Sequence, residues 1–151
     1  MTQMENRPVP AQKPYLPAEV AELFPDELSR EFWERAKRHE LVFQQCARCQ
    51  TFRHPPAPIC HVCRSFEFQW TQVSGRGTVF SFTIVTHGVH PALLQSLPFN
   101  VILVEFPDAP GVRLVSNLID TAPAEVKVNQ AVELVWEDLD NGTTLPRFRR
   151  V

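Results

Sequence analysis

All four cysteines of the chain lie in one short segment, CARCQTFRHPPAPICHVC, from Cys46 to Cys63. They form two C-x2-C pairs separated by ten residues. Two ligands at this spacing can reach one tetrahedral ion from a tight turn, and two such turns complete a four-thiolate site. The spacing therefore predicts that Cys46, Cys49, Cys60 and Cys63 bind one metal ion, with zinc favoured over iron.

The chemistry expected of this metal is structural. Four thiolates leave no open coordination position, which argues against a catalytic zinc. The same sulfur cage would accept iron, so a rubredoxin-like electron carrier is an alternative. We favour a structural ribbon, because a small lobe with little core of its own needs the metal to fold. Four sulfurs already satisfy the ion, so His54 and His61 are expected to be surface or supporting groups.

Composition limits the compartment and the partners. The chain has 15 Lys and Arg against 17 Asp and Glu, a formal net charge of -2. It therefore lacks the basic excess that is typical of binding to nucleic acid or to a membrane surface. No apolar run is long enough to span a bilayer, and the first residues lack the apolar core of a secretory signal. We expect a cytoplasmic protein, where disulfides are rare and paired cysteines bind metals or act in redox chemistry.

Residues 1–25 are predicted to form an extended arm and a short helix. Four prolines fall within the first 17 residues, and proline fixes its own φ and donates no backbone hydrogen bond. The arm is either a disordered tail or a segment that lies on a partner. Leu16, Val20, Leu23 and Phe24 have helical spacing.

A second helix is predicted for residues 26–42. Pro25 and Asp26 are a plausible start, and Phe32 and Ala36 recur at helical spacing. Trp33 flanks this apolar face. We expect it to be a packing residue, with contact to a ligand or partner as the alternative.

The rest of the chain is predicted to be mainly β. Alternating or continuous apolar segments rich in β-branched and aromatic residues indicate strands, and the connections consist of turn formers. Five strands in about 75 residues, without a strong helix among them, favour a small closed β-barrel. The five segments are one starting at Thr78, Asn100 to Phe106, Gly111 to Asp120, Ala131 to Leu139, and the closing TTLPRFRR.

Taken together, these motifs resemble the acyl-CoA-associated family in which a rubredoxin-like zinc ribbon is fused to an OB-fold, a family long known only as a domain of unknown function. The resemblance covers roughly residues 26–151 and implies a zinc ribbon at 43–71 and a five-stranded OB-fold barrel at 72–151. The matching residues are Phe32, Trp33 and Glu34; the four cysteines; Arg53, Pro55, Pro56 and Pro58; Trp70; 74–79; 81–83; and 145–149.

The resemblance also implies a function. Members of the family are small subunits that assemble with thiolase-fold enzymes, which carry the catalytic residues for thiolysis, retro-aldol cleavage or C-acyl transfer. The small subunit completes the assembly and can help to hold the acyl-CoA. We therefore expect a hetero-oligomer with a thiolase-like catalytic subunit and structural Zn²⁺. The chain itself offers no nucleophile motif, so we expect no catalytic residue and no activity alone.

Candidate ligand and partner residues follow from chemistry. Binding of CoA needs cations for phosphates and flat or apolar surfaces for the adenine and acyl parts. The loop 87–100 is rich in leucine, which would either cap the barrel or face a partner. Gly75 and Gly77 are expected to serve a tight turn or bulge and not a phosphate cradle. The candidates are Arg53, Arg76 and Arg147; Trp33, Trp70, Phe82 and Phe148; and Leu93, Leu94 and Phe99.

One further class of function remains open at this point. OB barrels often bind single-stranded nucleic acid, and zinc ribbons accompany some of them. The net charge of -2 and the lack of a strand stripe that alternates basic and aromatic residues disfavour this alternative.

Overall fold

The structure is a computed structural model that describes residues 13–151. The predicted arm therefore lies mostly outside the described residues, including Pro8 and Pro10. Its described end runs through Pro14 and Pro17 into a 3-10 helix at Ala18–Val20. Only this short helix forms where helical spacing was predicted, and the Phe24 side chain, predicted for its apolar face, is exposed.

The helix α1 spans Arg30–Ala36, which is shorter than the predicted 26–42. Its first turn is held by Asp26, whose side chain accepts hydrogen bonds from the backbone and hydroxyl of Ser29 at 2.7 and 2.6 Å. These bonds lower the pKa of the Asp26 carboxyl. The helix ends before His39, whose φ of 60° is in the left-handed region and breaks the helical path.

Two antiparallel sheets follow. The strands are β1 (Val42–Cys46), β2 (Phe52–Arg53), β3 (Phe68–Gln72), β4 (Arg76–Val85), β5 (Phe99–Phe106), β6 (Ala109–Ser116), β7 (Ala131–Asp138) and β8 (Thr144–Arg150). The ribbon sheet has the order β2-β1-β3, and the barrel sheet has the order β6-β5-β4-β7-β8. The barrel sheet curls until the segment after β6 meets β8, where Ile119 N–H donates to the carbonyl of Phe148 at 2.7 Å. This is the predicted mainly β fold with a four-cysteine ribbon and a five-stranded OB-fold.

One hydrophobic core joins the helix, the ribbon and the barrel. Phe32 of α1 stacks on Phe43 of β1 with ring centroids 6.4 Å apart, and Phe43 lies 5.2 Å from Phe106 of β5. Phe106 in turn lies 6.0 Å from Phe148 of β8. Aromatic burial of this kind dominates core energetics. The ribbon is therefore anchored on the barrel through its first strand.

Two glycines at the entry to β4 are required by close packing. Gly75 has a φ of 78°, and a Cβ there would lie 2.6 Å from that of Leu134. A Cβ on Gly77 would collide with the carbonyl oxygen of Glu105 on the neighbouring strand. Both positions support the prediction that Gly75 and Gly77 serve a tight turn or bulge at the start of β4 and not a phosphate cradle.

No helix within residues 13–151 is long and apolar enough to cross a membrane.

Candidate functional site

The four cysteines sit on two turns with the same backbone geometry. In the first turn, Gln50 N–H donates to the carbonyl of Cys46 at 3.0 Å, and Gln50 has a φ of 64°. In the second, Arg64 N–H donates to the carbonyl of Cys60 at 3.0 Å, again with a φ of 64°. This repeat makes the two C-x2-C segments equivalent zinc knuckles.

The sulfur atoms converge on one point. Those of Cys46 and Cys63 are 3.5 Å apart, those of Cys49 and Cys60 are 3.6 Å apart, and all four lie within 4.8 Å of one another. Sulfurs of a regular tetrahedron with metal–sulfur bonds of ~2.3 Å would be about 3.8 Å apart. The set therefore fits a tetrahedral ion, and within the described part of the chain no other such cluster is found.

Backbone amides prepare two of these thiols for metal binding. N–H groups of Cys49 and Arg48 bond to Cys46 and lower its pKa, and those of Cys63 and Val62 bond to Cys60 and lower its pKa to about 6. Stabilised thiolates are the ligands that zinc requires. The closed set of four sulfurs fits structural zinc, which holds the turns and leaves no place for a substrate.

The two histidines of the segment have separate positions. His54 packs against both Phe32 and Phe43, with ring centroids 5.0 and 5.3 Å away, and burial lowers its pKa to about 4. It is a half-buried, neutral residue. His61 is exposed on the second knuckle.

Two of the predicted cationic ligand residues are buried and engaged within the chain. Arg53 is 6% exposed and donates to the carboxamide oxygen of Gln44 at 2.5 Å and to the carbonyl of Ala57 at 2.9 Å. Arg147 is 8% exposed and pairs with Glu137 at 3.1 Å. Both residues correct the expectation of phosphate contact, because their guanidinium groups are buried inside the chain, where the Arg53 Nη1 atom has no hydrogen-bond partner among the described residues. Arg76 remains exposed, without a carboxylate partner among residues 13–151.

The predicted apolar contacts divide in the same way. Phe148 is fully buried and Phe99 is buried, so both correct the expectation of ligand or partner contact. Trp33 and Trp70 are half-buried and pack against the core. Accessible surface is left at Phe82 and in the loop after β4, where Leu94 is exposed and Leu93 is half-buried.

Comparison with known proteins now bears on this architecture. Residues 33–69 match the profile of the ChsH2 rubredoxin-like zinc ribbon domain, and residues 70–137 match that of the ChsH2 C-terminal OB-fold domain. A DUF35 domain-containing scaffold protein of Pyrococcus furiosus is 30% identical over 112 residues, which are 74% of this chain and 79% of that protein. The chain belongs to the ChsH2/DUF35 family.

Two further relatives are similar over different extents. A probable enoyl-CoA hydratase alpha subunit of Thermomonospora curvata is 43% identical over 119 residues, 78% of this chain, but the match spans only 36% of that protein. The chain thus spans about a third of this relative's length. A solved structure described as "Ltp2-ChsH2(DUF35) aldolase" is 37% identical, with a TM-score of 0.77, covering 85% of this chain and 98% of that one.

This ChsH2/DUF35 member also has a polar network that sequence reasoning missed. Tyr15 N–H donates to Glu137 at 2.9 Å, and Asn100 Nδ2 donates to the Tyr15 hydroxyl at 2.8 Å. Arg147 bonds to Glu137 and to Asn117, and Asn117 donates to the carbonyl of Asn100. These bonds close a ring that fixes the arm on the barrel. Burial raises the pKa of Tyr15, so its hydroxyl stays protonated.

The fixed arm and the loop after β4 line a cavity that is open to solvent on one side. Its volume is about 420 Å³. Three leucine side chains of this loop surround Gly88, since a Cβ on Gly88 would lie 3.4–3.5 Å from their atoms. The loop therefore forms a small apolar cluster of its own. Of the segments around this cavity, only the leucine-rich loop was predicted from the sequence to contact a ligand or partner. The cavity is lined by Lys13, Pro14, Tyr15, Pro17, Gln95 and Ser96.

Proposed function

We propose that this protein is a non-catalytic, zinc-binding accessory subunit that assembles with a thiolase-fold enzyme acting on acyl-CoA. The observation that carries the proposal is the match to the "Ltp2-ChsH2(DUF35) aldolase" structure, which extends over 98% of that chain at 37% identity. Similarity of this extent supports a shared role in the assembly as well as a shared fold. The partner's reaction would be C–C bond cleavage or formation by thiolysis, retro-aldol cleavage or C-acyl transfer.

The chemistry of the described residues supports an accessory role. Every cysteine belongs to the zinc ribbon, so none is free to act as a nucleophile. His54 is neutral and half-buried, and it packs against two aromatic rings. A nucleophile needs a base within hydrogen-bond reach, and the polar contacts of residues 13–151 include no such pair of serine or threonine with histidine. Catalysis is therefore assigned to the partner.

The acyl-CoA contact is proposed for the exposed part of the barrel. Arg76 offers a free guanidinium, Phe82 offers a flat apolar surface, and the cavity beside the arm carries Lys13 at its wall. These groups have the chemistry that CoA phosphates and its apolar parts require. Leu94, exposed on the neighbouring loop, is proposed to contact the partner together with Leu93.

Single-strand nucleic-acid binding gains no support from the structure. Arg53 and Arg147 are buried, Arg149 pairs with Glu133 at 2.7 Å and Arg150 pairs with Glu125 at 3.3 Å. None of these four arginines is therefore free to follow a phosphate backbone.

The proposal is tested by co-expression with the thiolase-like protein encoded nearest to this gene, followed by affinity purification and metal analysis. We expect a stoichiometric complex with one zinc per small chain and turnover of acyl-CoA by the complex but not by this chain alone. A zinc-loaded chain that binds no thiolase-like partner would overturn it. Binding to oligonucleotides that weakens with salt would redirect attention to the nucleic-acid alternative.

A further inference from the structure

The two zinc knuckles share a backbone but differ in the side chains they expose. Arg48 of the first knuckle and Val62 of the second occupy equivalent positions, since each precedes the second cysteine and its N–H bonds to the sulfur of the first. In the first knuckle this position is occupied by a charged residue, Arg48. The metal site therefore does not require an apolar residue at 62, yet Val62 is 60% exposed.

Val62 belongs to a group of exposed apolar residues around the metal centre. Ile59 precedes Cys60, Val62 precedes Cys63, and Phe68 pairs with Cys46 across the ribbon sheet. Phe66 is 71% exposed, more than any other residue of the group. We call Ile59, Val62, Phe66 and Phe68 the apolar ribbon surface. These four exposed side chains all fall within residues 59–68 around the second knuckle, and exposed apolar groups gathered in one region of a folded protein mark interaction sites.

The exposure of Phe66 does not come from a loose loop. The carbonyl of Ser65 accepts from Cys60 N–H at 2.9 Å, and the carbonyl of Glu67 accepts from Ala47 N–H at 3.0 Å. The backbone on both sides of Phe66 is therefore tied to the knuckles. A large aromatic side chain on a fixed backbone is pre-organised for binding, because little entropy is lost on docking.

The polar groups around this surface indicate the chemistry of its partner. Arg48, His61 and Arg64 are exposed, and none has a carboxylate partner among residues 13–151. Within the ribbon region 43–71 the only acidic residue is Glu67. An interface with an apolar centre and a charged rim fits this arrangement. The complementary surface would have an apolar recess edged by carboxylates.

We infer that the apolar ribbon surface docks a protein partner with such a recess, and that this partner is the catalytic subunit of the proposed complex. The inference rests on the proposed function and adds to it a contact surface in the ribbon, separate from the contact proposed for Leu93 and Leu94. The zinc then has a role beyond folding, because it holds Val62 and Phe66 in a fixed presentation.

The test uses Val62→Arg, which copies the residue found at the equivalent position 48, and Phe66→Ser. Val128→Arg, at an exposed valine of the barrel loop before β7, is the matched control. Zinc content and thermal midpoint establish that each purified full chain is folded. Affinity for the catalytic subunit is measured by calorimetry at two salt concentrations, and the chain alone is examined by light scattering.

We expect Val62→Arg and Phe66→Ser each to weaken the affinity at least tenfold with full zinc content, while Val128→Arg stays within twofold. Higher salt should weaken binding of the wild type. Wild-type affinity in both folded ribbon variants would overturn the inference and leave the proposed function standing. So would a dimer of this chain that Val62→Arg dissolves, since the surface would then serve self-association. A wild-type chain that binds no catalytic subunit would overturn both.

Discussion

At the scale of single residues, the burial of His54 makes stability depend on pH. The ring packs against two phenylalanines, its Nδ1 atom is buried without a hydrogen-bond partner, and its pKa falls from 6.5 to about 4. The folded state therefore favours the neutral ring, and the unfolded state takes up a proton first as the pH falls. The contribution of His54 to the unfolding free energy is fully present above about pH 6.5 and is lost as the pH falls from there towards 4.

The His54→Gln variant tests this linkage. Between pH 7 and pH 5 the wild type should lose about 2 kcal/mol of unfolding free energy that the variant does not lose. Urea titrations at several pH values, with zinc content measured at each, would show the difference. Equal pH slopes for the two proteins over this range would contradict the assignment of His54 as a buried neutral group.

Residue identities alone could not assign the roles of the arginines. Arg147, a predicted CoA contact, and Arg149 are two positions apart in β8 and therefore lie on the same face of the strand. Arg149 is exposed there, but Arg147 is covered by Tyr15 and bonded to Asn117, residues far from it in the chain. Strand alternation predicts which face a side chain occupies, but it cannot predict that a distant segment will cover part of that face.

At the scale of elements, the arm is held by the hydroxyl of Tyr15. This oxygen accepts from Asn100 N at 3.2 Å and from Asn100 Nδ2 at 2.8 Å. Tyr15→Phe removes both of these bonds, although Asn100 Nδ2 keeps its bond to the carbonyl of Leu118 at 2.8 Å, and we expect a loss of about 1–3 kcal/mol of unfolding free energy. Phe24→Ala, at an exposed aromatic residue of the same region, should change stability by less than about 0.5 kcal/mol.

Limited proteolysis supplies a second measurement for the arm. Tyr15→Phe should be cut near residue 15 faster than wild type, while cleavage within the barrel stays slow. If the two proteins were cut at the same rate with equal thermal midpoints, the ring of hydrogen bonds would not be holding the arm.

The zinc knuckles are the element that the sequence predicted best. Their ligand spacing, the tight turns and the four-sulfur cluster all follow from the C-x2-C pattern, because metal geometry dictates local backbone geometry. The strands β5, β7 and β8 were also predicted within one residue of their observed bounds from alternation and turn residues, whereas the segment predicted from Gly111 to Asp120 overran β6, which ends at Ser116. The helix α1 was overestimated, because the left-handed His39 and the entry into β1 end it early.

We expect Cys46→Ser and Cys60→Ser each to lose the bound metal and unfold the ribbon. Both cysteines are buried and one comes from each knuckle, so either change leaves three thiolates and an open turn. Metal analysis and the dispersion of ribbon resonances in NMR spectra would report the result. Thr51→Val, which removes only the hydroxyl 3.1 Å from the Cys49 sulfur, is the mild control and should retain zinc. Full metal content in the serine variants would contradict the structural role of the site.

At the scale of the whole molecule, the ribbon and the barrel act as one cooperative unit. Phe43 belongs to a ribbon strand, yet it lies in the same buried cluster as Phe106 and Phe148 of the barrel. Loss of zinc should therefore remove support from the shared core and destabilise the barrel as well. Two independent domains would instead have separate cores and could unfold separately.

The three tryptophans allow this cooperativity to be measured. Trp33 lies in α1, Trp70 in the ribbon and Trp136 in the barrel, and each packs against the common core. In variants that keep one tryptophan and replace the others by phenylalanine, the fluorescence and far-UV midpoints should coincide within each protein, because one core unfolds once. In the variant that keeps only Trp136, a chelator should lower both the fluorescence midpoint and the far-UV midpoint. A Trp136 signal that keeps its midpoint after zinc is removed would show that the barrel folds independently of the ribbon.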